Sequence, residues 1–302
     1  MKQSGFEQSG FVPSIAGELF YQQQRGAGVS HSSVPLVCIH GGPGFTSYCL
    51  EPLFELSNDL AVVCYDQAGC GRSRTRCAER LDFSVAGFVA ELEALREHLS
   101  VPKMHLLGHS FGGLIAGEYA LQYPERVESI VFAGVSIDIP RWMEDAERLI
   151  GQMPMMPRMI LREGLRSGAL NSPAFIDAYR LYAKRHIYGC DDPPASIRRS
   201  EEESDFKTYQ IVWGQTECVV TGVVKDYSMS TRLPLIASRS LFVCGRFDEA
   251  TPEAHQYFAS LVPDSRCHIF EKSAHHPQLT EREEFVRIIR QFVCRAGECA
   301  VS

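Results

Sequence analysis

The stretch "KMHLLGHSFGGLIAGEYALQYP", residues 103–124, joins the pattern of a buried strand directly to that of a helix. The first seven residues form a short, mainly apolar run, which is typical of a strand buried on both faces. Within the stretch, "GHSFGG" (residues 108–113) fits the pattern G-x-S-x-G and separates the strand from the helix. This order of strand, tight turn and helix is typical of a nucleophile elbow, whose turn holds a serine in a strained conformation between glycines. We therefore predict that Ser110 is a catalytic nucleophile.

Short apolar runs alternate with helical patterns on both sides of this stretch. Apolar residues three and four positions apart predict an amphipathic helix over residues 85–99, and further helices are predicted over 252–261 and 281–293. Strands that alternate with helices favour a parallel sheet covered on both faces, so we predict the α/β class with a mostly parallel central sheet. The predicted strands are residues 34–40, 60–66, 103–109, 127–134, 240–245 and 266–271.

The alternation stops in the middle of the chain. Residues 136–232 are helical in character and rich in methionine, and strands resume after them. We predict a core made of residues 1–135 and 233–302, with residues 136–232 inserted as a helical cap. The methionines are expected to pack between the cap helices, although flexible thioethers also suit an adaptable apolar pocket.

Composition and charge exclude several kinds of partner. The 302 residues carry a formal net charge of -7, which argues against a nucleic-acid-binding face. No apolar segment approaches the ~20 residues that a membrane span needs, so no membrane association is expected. Residues 1–14 lack the apolar centre of a secretory signal, and we expect a cytoplasmic protein.

Histidines and cysteines do not form a metal-binding pattern in the sequence. The eleven cysteines include no C-x-x-C pair. His275 and His276 are adjacent and His268 lies upstream, but no acidic or thiol ligand stands at a metal-like spacing beside them. We therefore predict no metal and no other cofactor.

A serine nucleophile needs a general base, and the base needs an acid to orient it. In this kind of architecture the chain order is Ser, then Asp or Glu, then His. Asp248 follows the strand 240–245 and His275 follows the strand 266–271, so both are predicted at the same sheet edge as Ser110. His276 is the rival base. We favour His275 because it comes first after the small residues of the preceding turn.

The glycine-rich segment "HGGPG", residues 40–44, follows the first strong strand. Acyl transfer needs backbone N–H groups directed at the developing oxyanion, and glycines let the backbone approach closely. An elbow supplies a second N–H from the residue after the serine. We predict Gly42 and Phe111 as the oxyanion donors, with a plain glycine turn as the alternative for residues 40–44.

Four segments together resemble one family: "HGGPG", the elbow, "YDQAGCGRS" (residues 65–73) and "WGQTECVVTGVVKDYS" (residues 213–228). They are similar to the proline iminopeptidases of the α/β-hydrolase fold, and the similarity covers nearly the whole chain, from about residue 18 to residue 293. The resemblance implies a serine hydrolase that releases an N-terminal amino acid from short peptides or amino acid amides through an acyl-enzyme, with the nucleophile, acid and base matching Ser110, Asp248 and His275.

The same resemblance implies a site for the substrate's free amine. Glu217, in the G-x-x-E segment of the cap, and Glu249, next to the triad acid, match the family residues that hold this amine, and Tyr209 matches a tyrosine near the pocket. For Glu249 the alternative is a solvated turn residue or a charge at the start of the helix that follows.

The residues that flank the nucleophile differ from those of many proline-specific relatives. The elbow reads His109-Ser110-Phe111, where those relatives carry Gly or Ser before the serine and Trp or Tyr after it. An L-amino acid amidase, or a pathway-specific small-molecule amide or ester hydrolase of the same fold, is therefore the alternative. An esterase would have no use for an amine-binding pair of carboxylates. A non-catalytic binding protein is the remaining alternative, against which the complete triad argues.

Overall fold

One sheet organises the residues that the computed structural model describes, 6–30 and 32–294. Within this part of the chain it has nine strands, which lie in the order β1-β2-β4-β3-β6-β7-β8-β9, with β5 beside β2. The strands are β1 (Phe6–Ser14), β2 (Gly17–Arg25), β3 (Leu36–Ile39), β4 (Val62–Tyr65), β5 (Arg74–Thr75), β6 (Met104–His109), β7 (Val127–Ala133), β8 (Arg239–Gly245) and β9 (Ser265–Phe270).

Strand direction confirms the predicted fold class. All pairs from β4 through β9 are parallel, whereas β2 pairs antiparallel with β1, β4 and β5. The six predicted strands correspond to β3, β4, β6, β7, β8 and β9. The sequence prediction missed the antiparallel end formed by β1, β2 and β5. A mostly parallel sheet with helices between its strands is the α/β arrangement.

The described residues form ten α-helices. Of these, α1, α2, α8 and α10 lie where helices were predicted. A short π-helix, Lys184–Tyr188, continues α5, and a 3-10 helix spans Ser47–Leu56. No helix in the described ranges is long and apolar enough to cross a membrane. The α-helices are α1 (Val85–Leu99), α2 (Phe111–Gln122), α3 (Ile139–Gly151), α4 (Met155–Ser167), α5 (Pro173–Ala183), α6 (Ala195–Glu202), α7 (Phe206–Val212), α8 (Pro252–Leu261), α9 (Pro277–Thr280) and α10 (Arg282–Val293).

Both faces of the sheet are buried along β3, β4, β6, β7 and β8, which explains why these strands are mainly apolar runs without alternation. In β3, Val37 and Ile39 belong to the core that includes α1 and α2. Leu36 and Cys38 belong to the opposite core, which includes the 3-10 helix and α10. Successive side chains of a strand point to opposite faces, so a strand covered on both sides must be apolar throughout.

Five helices, α3 to α7, lie between β7 and β8, in the region predicted as the cap. Residues of α3, α4 and α5 share a third apolar cluster, which includes Leu149, Leu161, Phe175 and Tyr182. This cluster gives the helices a small core of their own. The division of the chain at residues 136 and 232 stays a prediction.

The methionines of this region do not all pack inside it. Met153 and Met229 are buried, but Met155, Met156 and Met159 are each more than half exposed. Helix α4 turns its other face, with Leu161, toward the cluster, so its first turns leave these three side chains in solvent. The expectation that the methionines pack between the cap helices is wrong for these three.

Candidate active site

Ser110 stands between the end of β6 and the start of α2, as the elbow pattern predicts. Its backbone has φ 53° and ψ −123°, a region that residues other than glycine rarely adopt. A hydrogen bond from the Ser110 N–H to the Ala133 carbonyl (2.9 Å) ties the turn to the neighbouring strand β7. The strained turn is thus held by the sheet, and the serine side chain is presented at the carboxyl end of β6.

Glycines on both sides of Ser110 allow the turn to be this tight. A Cβ atom on Gly108 would lie 2.4 Å from the Gly112 carbonyl oxygen, and one on Gly112 would lie 2.2 Å from the Ile39 carbonyl oxygen. These distances are far below van der Waals contact with backbone atoms that cannot turn aside. The sequence pattern therefore reports a real steric requirement of the elbow.

Asp248 and His275 meet at the same sheet edge. His275 Nδ1 donates to Asp248 Oδ1 (2.7 Å), which also accepts from the Ala250 N–H (2.8 Å). The proton on Nδ1 leaves the Nε2 lone pair of the neutral imidazole available to a reactant. Burial alone would lower the pKa of His275, but the charge and hydrogen bond of Asp248 outweigh it and raise that pKa above its ordinary value.

A single cavity of about 470 Å³ collects most of the predicted site residues. Ser110 and His275 line it, while Asp248 is buried behind the histidine. The three residues follow β6, β8 and β9, whose parallel carboxyl ends share one edge of the sheet. Their roles as nucleophile, acid and base stay predictions, and their placement fits these roles.

His276 lies in the same cavity but has different neighbours. Its ring stacks on His109 with 5.0 Å between centroids, and its Nδ1 lies 3.2 Å from Gln278 Nε2. Burial and the neighbouring imidazoles of His109 and His275 hold the pKa of His276 well below its ordinary range. Among the described residues, His276 has no carboxylate as a hydrogen-bond partner. The two adjacent histidines therefore differ, because His275 is bonded to Asp248 and His276 lies beside an amide.

The predicted oxyanion donors flank the nucleophile. Gly42, which lines the cavity, has φ +44°, and a Cβ there would lie 2.4 Å from the Phe45 ring. The preceding Gly41 lies so close that a Cβ on it would be 2.5 Å from Ser110 Cβ. Phe111 is the first residue of α2, so its N–H has no acceptor within the helix. Both backbone N–H groups are positioned near Ser110, and their role stays a prediction.

Tyr209 and Glu217 form the wall of the cavity that the cap region contributes. The Tyr209 hydroxyl donates to Glu217 Oε1 (2.7 Å), and Trp142 Nε1 donates to the Glu217 carbonyl (2.8 Å). Burial raises the pKa of the Glu217 carboxyl, against the opposing effects of Tyr209 and His275. Tyr209 and Glu217, each predicted near the substrate, are therefore in direct contact and both line the cavity.

Glu249 enters the same cavity from the loop after β8. Its side chain is almost wholly buried, and its Oε2 has no hydrogen-bond partner within the described ranges. Burial, reinforced by the carboxylates of Glu217 and Asp248 and opposed by the nearby Tyr182 hydroxyl, raises its pKa well above its ordinary value. The alternative of a solvated turn residue is wrong, because Glu249 is buried and lines the cavity.

Backbone groups of the π-helix Lys184–Tyr188 support these loops, a contribution that the sequence analysis missed. The Glu249 N–H donates to the His186 carbonyl (3.1 Å), and the His275 N–H donates to the Ile187 carbonyl (3.1 Å). His186 Nδ1 in turn donates to the Phe247 carbonyl (2.8 Å). Carbonyl acceptors carry no side-chain signature, so no sequence pattern could have indicated them.

Among the described residues, one group has the composition and spacing to hold a metal ion. Cys49, His109 and His276 are all buried, and their ligand atoms lie within 4.8 Å of one another. The group lines the same cavity as Ser110. It differs from the cluster of His268, His275 and His276 that the sequence analysis considered, because two of its members come from distant parts of the chain.

Comparison with known proteins gives the class of protein first. A sequence model of the alpha/beta hydrolase fold matches residues 34–282. This range includes every strand from β3 to β9, the elbow, and the loops that carry Asp248 and His275. The chain belongs to the α/β-hydrolase family, and it is a hydrolase.

Individual relatives narrow this class. Proline iminopeptidase from Heyndrickxia coagulans is 34% identical, over 94% of this chain and 98% of the relative. Proline iminopeptidase from Saccharolobus solfataricus is 30% identical, over 95% of this chain and 92% of the relative. The crystal structure of proline iminopeptidase from Mycobacterium smegmatis superposes with a TM-score of 0.88 at 29% identity, covering 94% of this chain and 97% of that one. The chain belongs to the proline iminopeptidase family.

Proposed function

We propose that this protein is a serine aminopeptidase that cleaves the amide bond after a free N-terminal amino acid of a short peptide or amino acid amide. One observation carries the proposal: Glu249, whose carboxylate has one oxygen without a hydrogen-bond partner in the described ranges, lines the cavity that holds Ser110 and His275, and Glu217 lines it as well. A hydrolase of neutral esters gains nothing from two carboxylates beside its nucleophile. A compact ammonium group gains two partners there.

The first half of the reaction forms an acyl-enzyme. Ser110 Oγ attacks the substrate carbonyl carbon while His275 Nε2 takes the hydroxyl proton, and Asp248 stabilises the imidazolium that results. The N–H groups of Gly42 and Phe111 stabilise the oxyanion of the tetrahedral intermediate, which is worth about 3 kcal/mol for each donor. When the intermediate collapses, the C–N bond breaks and His275 returns its proton to the leaving amine.

The second half releases the amino acid. Water attacks the acyl carbon, and His275 takes a proton from it as Ser110 Oγ leaves. The proton then returns to Ser110, so the enzyme ends in its initial state. No step needs a cofactor, and the prediction that none is used rests on this closed proton balance.

Carboxylates of Glu217 and Glu249 would fix the substrate by its ammonium group. Their mutual repulsion in the empty site is relieved when a cation binds between them. A blocked amine cannot relieve it and leaves buried carboxylates without a partner, which disfavours binding. The apolar side chains of Phe175, Ile176 and Tyr179 on α5 line the cavity as well and suit a leaving group larger than ammonia.

The test is a panel of L-prolyl, L-alanyl and L-leucyl arylamides and amides, each with a free and an N-acetylated amine. We expect kcat/KM for the free amine to exceed that for the acetylated compound by about 10²–10³, the scale of a desolvated charge pair. Ser110→Ala serves as the control for contaminating activity. Equal rates with free and blocked amines would contradict the aminopeptidase assignment, and preference for simple amides over arylamides would instead identify an amidase.

A further inference from the structure

We propose that Cys49, His109 and His276 form a binding site for a zinc ion, and that the bound ion inhibits hydrolysis. The three residues come from separate parts of the fold: the 3-10 helix Ser47–Leu56, the end of β6 and the loop after β9. Their ligand atoms nevertheless lie within 4.8 Å of one another. The three residues line the same cavity as Ser110, but none of them belongs to the predicted triad or to the amine site, so the proposal does not rest on the proposed function.

Ligand spacing is close to what tetrahedral zinc needs. Bond lengths of about 2.3 Å to sulfur and 2.0–2.1 Å to nitrogen place neighbouring ligand atoms roughly 3.3–3.6 Å apart. The group Cys49, His109 and His276 would therefore close on the ion through side-chain movements of about an ångström. One thiolate and two imidazoles favour zinc over the hard cations Mg²⁺ and Ca²⁺, which prefer oxygen ligands.

His109 already has the hydrogen bonding of a metal-ligating histidine. Its Nε2 lies 2.9 Å from the carbonyl of His275, and a carbonyl can only accept, so Nε2 carries the proton. The lone pair is then on Nδ1, which is buried and has no partner in the described part of the chain. Ligating histidines normally donate their other N–H to a carboxylate, carbonyl or water in this way, which fixes the tautomer.

The other two ligands have partners that permit binding. The side-chain amide of Gln278 lies beside His276 Nδ1, and its Oε1 has no partner among the described residues. Rotation of this amide would let it accept from Nδ1 instead of donating, so either ring nitrogen of His276 can be the unprotonated one. Burial raises the pKa of the Cys49 thiol to about 12, so the ion must displace its proton on binding.

An ion can reach the site and would act on the base from there. Cys49, His109 and His276 all line the cavity that contains Ser110, so the fourth ligand position faces open space. The His275 ring has its centroid 4.8 Å from that of His109 and 5.2 Å from that of His276. During attack His275 must become an imidazolium, and a neighbouring dication disfavours that charge. Zinc in this position therefore inhibits the chemical step.

The experiment measures binding and inhibition separately. The reduced protein, freed of reductant and chelator, is titrated with Co²⁺ as a spectroscopic substitute for Zn²⁺, and a thiolate-to-cobalt charge-transfer band is followed. In parallel, Zn²⁺ is titrated against hydrolysis of an amino acid arylamide. The variants are Cys49→Ser and His276→Gln, and the matched control is Cys267→Ser, which removes a thiol from β9 outside the cavity lining. Thermal denaturation confirms that each variant is folded.

We expect one Co²⁺ per chain with a charge-transfer band, and loss of activity at matching Zn²⁺ concentrations, in the wild type and in Cys267→Ser. Cys49→Ser should lose the band, and both site variants should need about tenfold or more Zn²⁺ for half inhibition. Absence of the band in the wild type would overturn the site. Inhibition that is unchanged in both variants would also overturn it, because the inhibiting ion would then bind outside this group of residues. The cobalt band tests the site even if the proposed aminopeptidase activity fails.

Discussion

Asp248 and Glu249 are neighbours in the chain, and both are almost wholly buried, with 1% and 3% of their surfaces exposed, yet their surroundings are opposite. Asp248 accepts from a histidine and from a backbone N–H. One oxygen of each carboxylate, Asp248 Oδ2 and Glu249 Oε2, has no hydrogen-bond partner in the described ranges, but only Glu249 of the two lines the cavity, near a second carboxylate, Glu217. The charge of the first is compensated within the protein, whereas the charge of the second is available to a ligand. The acid that holds the histidine is thus withdrawn from the cavity, whereas the acid that lines the cavity is the one that a substrate can reach.

The largest loss of activity is expected from removing the predicted nucleophile, Ser110. Ser110→Ala should lower kcat by about 10⁶, since nothing else can form the acyl-enzyme. The fold should survive, because Ala133 and the flanking glycines hold the turn through the backbone. Active-site titration with a serine-directed phosphonofluoridate provides the measurement, and labelling of the variant at another residue would contradict the assignment.

The second largest loss of activity is expected from replacing Asp248, the acid that is hydrogen-bonded to His275. Asp248→Asn should lower kcat by about 10⁴, because an amide in this position favours the wrong tautomer of His275. The loss should be the same for substrates with free and with blocked amines. Steady-state kinetics on both substrates will show this, and a loss confined to free amines would mean that Asp248 belongs to the amine site.

Replacing Glu217 or Glu249, the two carboxylates that line the cavity, should affect substrates with a free amine much more than those with a blocked amine. Glu249→Gln and Glu217→Gln should each cost about 2–4 kcal/mol in kcat/KM for a free-amine substrate, because an ammonium loses one of two desolvated partners. The N-acetylated analogue should lose little or gain. Parallel kcat/KM measurements decide the matter, and equal losses on both substrates would assign these glutamates a structural role.

The pH dependence of kcat/KM should also differ between substrates with free and with blocked amines. His275 acts as a base only when neutral, and its pKa is raised above 6.5, so kcat/KM should fall about tenfold per unit as the pH drops below that pKa. The raised pKa of Glu249 means that its carboxyl also takes up a proton as the pH falls, which weakens binding of an ammonium. The acid limb should therefore be steeper for free amines than for acetylated ones. Superimposable limbs in the two pH profiles would contradict this.

The smallest effect is expected at the second histidine. His276→Gln in metal-free buffer should change kcat by less than about threefold, whereas His275→Gln should remove almost all activity, because only His275 contacts Asp248. The comparison needs only initial rates with one substrate. The reverse ranking would exchange the two residues as general base.

The sequence allowed correct predictions where a structural requirement leaves a local pattern in the residues. The glycines around Ser110 are required by close backbone contacts, and a strand buried on both faces must be apolar, so the elbow and the strands β3, β4, β6, β7 and β8 could be predicted. The choice between His275 and His276 depended on turn position alone. What separates them is the contact with Asp248, which only the folded chain brings about.

Other features could not be predicted, because they leave no local pattern in the sequence. Exposure of Met155 depends on which face α4 turns to its neighbours, and the group of Cys49, His109 and His276 depends on three segments meeting. The antiparallel strands β1 and β2 pair through backbone groups with long polar stretches in between, such as "QQQ" at residues 22–24. Their side chains give a weak period-2 signal, so tertiary pairing rather than sequence determines them.

The π-helix Lys184–Tyr188 restricts the route by which a substrate can reach the nucleophile. Two of its carbonyls accept from the N–H groups of Glu249 and His275, and His186 also donates to Phe247. Lifting this segment away would release the loops of the acid and the base together. A route that leaves the segment docked preserves both. The connection between α4 and α5, with the first turn of α5, offers one, because Leu170 and Ile176 line the cavity and are partly open to solvent. The cap is therefore expected to admit substrate at that side and to stay fixed at the other.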